Sequence, residues 1–184
     1  MLLNLLLWAC DAPISSDTSK PKQEVVESPI HWTECSYNGG DHICDLTLST
    51  ADAKMDNLYS HYGEVIVIDV SAMWCGPCQE AAWNSNSIDV SSGGVKWITV
   101  LLENLDGEAP SVEDGQMWGD HFGIWYNEIL LGSPDNRDPE GFNGFANTGW
   151  PYFLILDKDL MIRVVQQGWN KEEILQHIAD LKSE

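Results

Sequence analysis

Met73-Trp74-Cys75-Gly76-Pro77-Cys78 closely follows the apolar run Val65-Ile66-Val67-Ile68-Asp69-Val70. The run reads as a buried strand, and the two thiols stand where the chain leaves it and a helix is about to begin. A helix start presents unpaired backbone N–H groups and a partial positive charge. Both favour a thiolate over a thiol, so Cys75 at that edge is the candidate nucleophile. Cys78 lies one helical turn further in, within disulfide reach. Gly76 and Pro77 suit a tight first turn, where proline's missing N–H has no intrahelical partner to lose. The chemistry such a pair can do is closing, opening and exchanging a disulfide.

A Cys-x-x-Cys pair has two other uses. Half of a zinc site needs two more ligands at suitable spacing. Cys35 and Cys44 match no zinc-ribbon spacing, and His31, His42, His61, His121 and His177 form no paired ligand motif. A structural staple is the other use, but so small a loop constrains little of the unfolded chain. No metal and no cofactor is therefore expected.

The segment Ile68 to Cys78 resembles the active-site segment of thioredoxin-fold thiol–disulfide oxidoreductases. Asp69 lies six residues before Cys75, where thioredoxins carry a buried acid. Thr148-Gly149-Trp150-Pro151-Tyr152 looks like the segment holding that family's cis-proline. Phe153 to Asp157, a turn at Lys158-Asp159, and Leu160 to Val165 read as a closing hairpin before Gly168 and a last helix. The resemblance covers about residues 60 to 184, and its extended linker and long insertion look most like the TlpA/ResA-type envelope branch. It implies an α/β, thioredoxin-like fold: a central mixed β-sheet flanked by helices, with an N-terminal extension and an insertion before the cis-proline strand. It also implies that Cys75, Cys78 and Asp69 are catalytic, and that Trp74, Gly76, Pro77, Trp150 and Pro151 meet substrate. Asp69 would serve as general base for Cys78, since burial raises a carboxyl's pKa. The chain departs from the family in three places. Thr99 to Leu102 lacks the lysine that thioredoxins place near the acid, so Asp69 would be less ionised here. Trp83 stands near the family's helix-kinking proline. Ala81 replaces the glutamate of ResA-type proteins.

The 184 residues suffice for one core. Nine basic against 29 acidic residues give a net charge of −20, which argues against nucleic-acid binding. Residues 1–10, Met1 to Cys10, form a short apolar run ending in cysteine. They read as a lipoprotein signal segment with Cys10 as the lipidation candidate, although no Lys or Arg precedes the run and Trp8 is bulky for its place. Residues 11–30 are rich in Ser, Pro, Lys and Glu and read as a disordered tether. Residues 31–184 would then be the folded domain, outside the cytoplasm: in the cell envelope or periplasm, membrane-anchored if Cys10 is lipidated. In such an oxidising compartment Cys35 and Cys44, bracketing a Gly39-Gly40 turn, would form a structural disulfide; the alternative is two buried free thiols.

The remaining elements follow from pattern. Thr50 to Tyr62 reads as a helix or a strand-plus-helix entry, Gly76 to Ile88 as the active-site helix, and Val95 to Leu102 as a strand. Ser111 with Asp114 caps a helix to about His121, and Glu128 to Leu131 adds a short strand. Asn170 and Glu173 resemble a capping box that opens a last helix carrying Ile174, Leu175, Ile178 and Leu181 on one face. Glu103 to Asn147 holds ten acidic residues and a single basic one, Arg137. Phe142 and Phe145, just before the proline segment, are its best candidates for groove contacts.

Three functions fit these residues. One is an envelope protein-disulfide reductase, acting on protein disulfides and fed by a membrane electron donor. The second is a disulfide oxidase or isomerase. The third is a tethered binding module with an idle dithiol.

Overall fold

In the computed structural model, residues 30–92 and 95–183 are described; the signal-like segment 1–10 and the tether lie outside them, apart from Ile30. Seven strands form one mixed sheet: β1 (Thr47–Thr50), β2 (Met55–Asn57), β3 (Val65–Ala72), β4 (Val95–Glu103), β5 (Ile129–Leu131), β6 (Tyr152–Leu156) and β7 (Ile162–Gln167). Their spatial order is β2-β1-β5-β4-β3-β6-β7. β3, β4 and β5 run parallel, and the remaining pairings are antiparallel. Every residue of β3 is buried, which is why it reads as a continuous apolar run rather than an alternating one.

The helices are α1 (Gly76–Ser92), α2 (Val112–Phe122) and α3 (Lys171–Lys182). Ser111 caps α2 through a reciprocal capping box with Asp114, as the sequence predicts. At α3 only half of the expected box forms: Asn170 accepts the Glu173 N–H, while the Glu173 carboxylate accepts from the Asn170 side-chain amide rather than from its backbone. The Thr50–Tyr62 segment resolves into the end of β1, strand β2 and a single 3-10 turn at Leu58–His61.

The sheet's two faces are covered differently. Val65, Val67, Trp97, Phe153 and Ile155 pack against Ala81 and Ile88 of α1 and Ile174, Ile178 and Leu181 of α3. Leu101, Ile129 and Leu131, on the same side, pack against Trp118 and Phe122 of α2. There α2 lies very close: a Cβ on Gly115 would come within 2.7 Å of Leu131 and 2.9 Å of Ala51. The opposite face, with Ile66, Ile68, Val70, Ile98, Val100 and Leu154, is packed by Tyr37, Ile43, Leu46, Leu58, Phe145 and Leu160, none of them from an α-helix. The N-terminal extension and the insertion thus supply a layer of the core.

That layer is fastened to the sheet and to itself. Gly40 donates to Ile162 O at 2.8 Å, Ile162 to Asp41 O at 2.9 Å and Ile43 to Leu160 O at 3.0 Å. Cys35 and Cys44 are joined by a disulfide across the Gly39-Gly40 turn, and Gly40 has φ 93°, a conformation glycine adopts without strain. A crosslink closing a loop of this length restricts the unfolded chain by about 2.5 kcal/mol. A Cys35→Ser/Cys44→Ser variant should therefore lose about 2–3 kcal/mol of unfolding free energy in denaturant titration while the Cys75–Cys78 disulfide is kept. Unchanged stability would show that the turn is set by its backbone bonds alone.

Candidate active site

β3 ends at Ala72 and α1 begins at Gly76, so the connection is one tight turn. Met73 N–H donates to Glu103 O at 2.9 Å and Cys75 N–H to Ala72 O at 3.1 Å, which moors the turn to the ends of β3 and β4. Cys75 and Cys78 are joined by a disulfide. Cys78 N–H donates to Cys75 Sγ at 3.2 Å, a first-turn N–H with no carbonyl to serve, and it would stabilise negative charge on that sulfur. Cys75 is 5% exposed and Cys78 fully buried, whereas Gly76 and Pro77 lie open to solvent. A partner's sulfur must therefore approach over the Gly76-Pro77 edge.

Asp69 is fully buried in β3, on the same face as α1 and α3. Burial pushes its carboxyl up to about 7, against a weaker opposing pull from the Ser71 hydroxyl, which donates to Oδ1 at 2.7 Å. The Trp97 indole also favours the charged form, but it stands short of hydrogen-bonding geometry, because its Nε1 finds no partner. Asp69 Oδ2 and Thr99 Oγ1 are likewise unpartnered, and Thr99 is Asp69's register partner on β4. A lone buried carboxyl among groups that do not compensate its charge is divided between its neutral and charged forms near neutral pH, and can therefore take up or release a proton there.

The Trp150–Pro151 peptide bond is cis, and it leads into β6 beside β3. Trp150 meets Trp74 edge to face at 6.1 Å, so the proline segment and the dithiol turn share a wall. Glu103 and Arg137 close a ring around that wall. Trp74 Nε1 donates to Glu103 Oε2 at 2.8 Å, Arg137 Nη1 lies 3.6 Å from Glu103 Oε1, and the Arg137 guanidinium sits 5.4 Å over the Trp150 ring. Arg137 Nε also donates to Asn147 Oδ1 at 2.7 Å. Sequence reasoning missed Glu103, Arg137 and Asn147 as parts of this site. The available signal was Arg137's position as the single cation in the acidic stretch.

The fold has known counterparts. The chain aligns with the exposed lipoprotein thioredoxin of Streptococcus pneumoniae over 75% of its own length and 100% of that chain, with a TM-score of 0.58 and 23% identity. It aligns with the thioredoxin domain of a thiol-disulfide oxidoreductase from Bacteroides vulgatus over 79% and 98%, with a TM-score of 0.62 and 13% identity. The chain has the thioredoxin-like fold. A secreted Mycobacterium tuberculosis disulfide oxidoreductase, described as homologous to E. coli DsbE, shares this fold too, over 74% and 96% of the two chains, with a TM-score of 0.55 and 16% identity. No family model matches the chain, and no curated protein matches it.

Within the thioredoxin-like fold, Trp74, Cys75, Gly76, Pro77 and Cys78 lie on the turn and first helical residues after β3, Trp150 meets Trp74 just before the cis bond to Pro151, and Asp69 lies on β3 itself. Two sequence expectations are corrected. Phe145 does not reach a groove beside the proline: it is 1% exposed and packs edge to face on Tyr37 in the helix-free layer. Phe142 is 60% exposed, but it lines a cavity with His31, Trp32 and the Cys35–Cys44 turn. Phe145 N–H donates to Asn136 O at 2.8 Å and Asp138 N–H to Phe145 O at 3.0 Å, which fixes the Phe145 backbone against residues 136–138.

Proposed function

We propose that this protein is a thiol–disulfide oxidoreductase that reduces protein disulfides in the cell envelope through Cys75 and Cys78. One observation carries the reading: two cysteines at a strand-to-helix turn, with an N–H on the outer sulfur and a buried, proton-holding carboxyl on the strand below.

In the reduced protein the Cys75 thiolate attacks one sulfur of a substrate disulfide. A Cys75–substrate mixed disulfide forms, and the first substrate sulfur leaves as a thiolate that takes up a proton. Cys78 then attacks Cys75 Sγ, the mixed disulfide breaks, and the second substrate thiol is released. The substrate gains two electrons and the protein is left as Cys75–Cys78. Asp69 takes the proton of Cys78, the buried sulfur that has no water to give it to. Another turnover needs an external dithiol to return two electrons, and a membrane electron donor fits that part.

An envelope location is supported by the lipoprotein-like Cys10 segment, by the Cys35–Cys44 disulfide and by the exposed or secreted character of two proteins sharing the fold. In this reading residues 11–30 tether the domain to a lipid-anchored Cys10. Among the described residues, no helix is long and apolar enough to cross a membrane.

The direction of exchange is tested by equilibrating the full chain in dithiothreitol or glutathione buffers. The expected midpoint potential is on the order of −270 mV, that of a reductant. A value near about −120 mV would assign the protein to disulfide donation instead.

A further inference from the structure

Beside the dithiol turn lies an apolar pocket of about 170 Å³. Met73, two residues before Cys75, and Gln79, next after Cys78, form its near wall; Leu105, Met117, Trp118, His121 and Phe122 form the rest. Gln79 Nε2 donates to Met73 O at 2.8 Å, so this wall belongs to the same turn that holds the sulfurs. Two large apolar side chains at its mouth are unusually open: Leu105 is 59% exposed and Met117 53%. Unbranched, polarisable Met117 can adapt to apolar side chains of different shape. The exposed Trp83, a turn and a half past Cys78, lies against His121 and Phe122 at ring distances of 5.2 and 5.0 Å and extends the apolar surface.

Across Met117 and His121 the pocket opens into a second depression that also includes Glu113 and Asp120. Both carboxylates are exposed, and Asp106 and Glu108 stand on the loop beyond Leu105. No Lys or Arg occurs between Lys96 and Arg137. The rim therefore has no Lys or Arg of its own across the stretch carrying the pocket's outer wall; His121, between the two depressions, is its one basic side chain.

We infer that this furrow docks the polypeptide being reduced, and that it selects a cationic segment: one with a large apolar side chain close to its cysteine and Lys or Arg beyond it. The inference rests on the thiol–disulfide reading above. The apolar residue fills the Met73–Leu105–Met117 pocket, and the cations meet Glu113 and Asp120. Leu105 and Met117 lose water only when the pocket is filled. The carboxylates add attraction that salt screens, and they disfavour acidic segments as strongly as they favour basic ones.

The test uses the reduced full chain and three disulfide-linked peptides: one with Leu and two Lys beside its cysteine, one with Leu and two Glu, and one with Ser and two Lys. The second-order rate of protein oxidation is followed by thiol titration. The Leu–Lys peptide is expected to react about tenfold faster than the Leu–Glu peptide at low ionic strength, the gap shrinking to about twofold in 0.5 M salt. Glu113→Lys/Asp120→Lys should reverse the charge preference, and Met117→Glu should erase the advantage of Leu over Ser. Glu172→Lys/Asp180→Lys, the same charge change on α3, should keep the wild-type ratios. Equal rates for the three peptides, or ratios that the furrow variants leave untouched, overturn the docking inference while the exchange chemistry stands. Failure to react with any disulfide, glutathione disulfide included, overturns both.

Discussion

Replacing Cys78 with serine should leave a protein that captures its substrates and cannot release them. Cys75 keeps its place at the start of α1. In the reduced variant its sulfur still attacks a disulfide, but nothing remains to resolve the adduct. Non-reducing mass spectrometry after exposure to a peptide disulfide should show the chain plus one peptide half, linked at Cys75. Turnover should fall by about three orders of magnitude. Cys75→Ser should lose turnover to a similar degree and accumulate no adduct, because Cys78 is wholly covered. The asymmetry is the informative part, and it follows from burial: an interchangeable pair would form adducts in both variants. A Cys75→Ser protein that retained all its activity would point to a binding module with an idle dithiol.

The parts of this molecule visible in the sequence are those whose cause is local. β3 is visible because eight consecutive buried residues have to be apolar or paired. α2 is visible because Ser111 and Asp114 satisfy each other three residues apart. The dithiol is visible because its two sulfurs, its turn and its helix start lie in one short stretch. What stayed hidden depends on contacts distant in sequence. Phe145 was expected at a groove because it precedes Pro151 by six residues, yet its ring is claimed by Tyr37, more than a hundred residues away. Glu103 and Arg137 gain meaning only when β4, the insertion and the proline segment converge on Trp74 and Trp150. The helix-free layer was equally out of reach, since residues 30–62 carry few periodic signals and take their shape from the sheet edge and the Cys35–Cys44 bond.

Asp69 should make the protein less stable and more active at once, and substitution should separate the two. Its carboxyl is raised from 3.8 to about 7 by burial. Between those values the unfolded chain has released the proton and the folded one has not. The folded state therefore binds more protons, and its stability falls as pH rises, by about 1.4 kcal/mol per pH unit from this group. The loss begins near the unfolded value, is complete just above 7, and amounts to about 4 kcal/mol. Asp69→Asn keeps an acceptor for the Ser71 hydroxyl and cannot ionise. Relative to the parent, the variant should gain about 2–4 kcal/mol at pH 8, a rise of roughly 5–15 °C in Tm, and little or nothing at pH 4. Parallel denaturant titrations of both proteins at the two pH values cancel the contributions of the other carboxylates. Activity should move the other way. Without a group to take the proton of Cys78, resolution of the mixed disulfide at pH 7 should slow by about a hundredfold, and the rate's inflection near pH 7 should disappear. A variant no more stable at pH 8 than at pH 4, relative to the parent, would mean that the carboxylate is compensated after all. A variant with an unchanged pH–rate profile would move proton transfer to water. If both expectations hold, the missing partner for Asp69 Oδ2 is a functional feature: a lysine or a well-placed indole there would stabilise the fold by holding the carboxylate charged, and would leave it a poorer acceptor for the proton of Cys78.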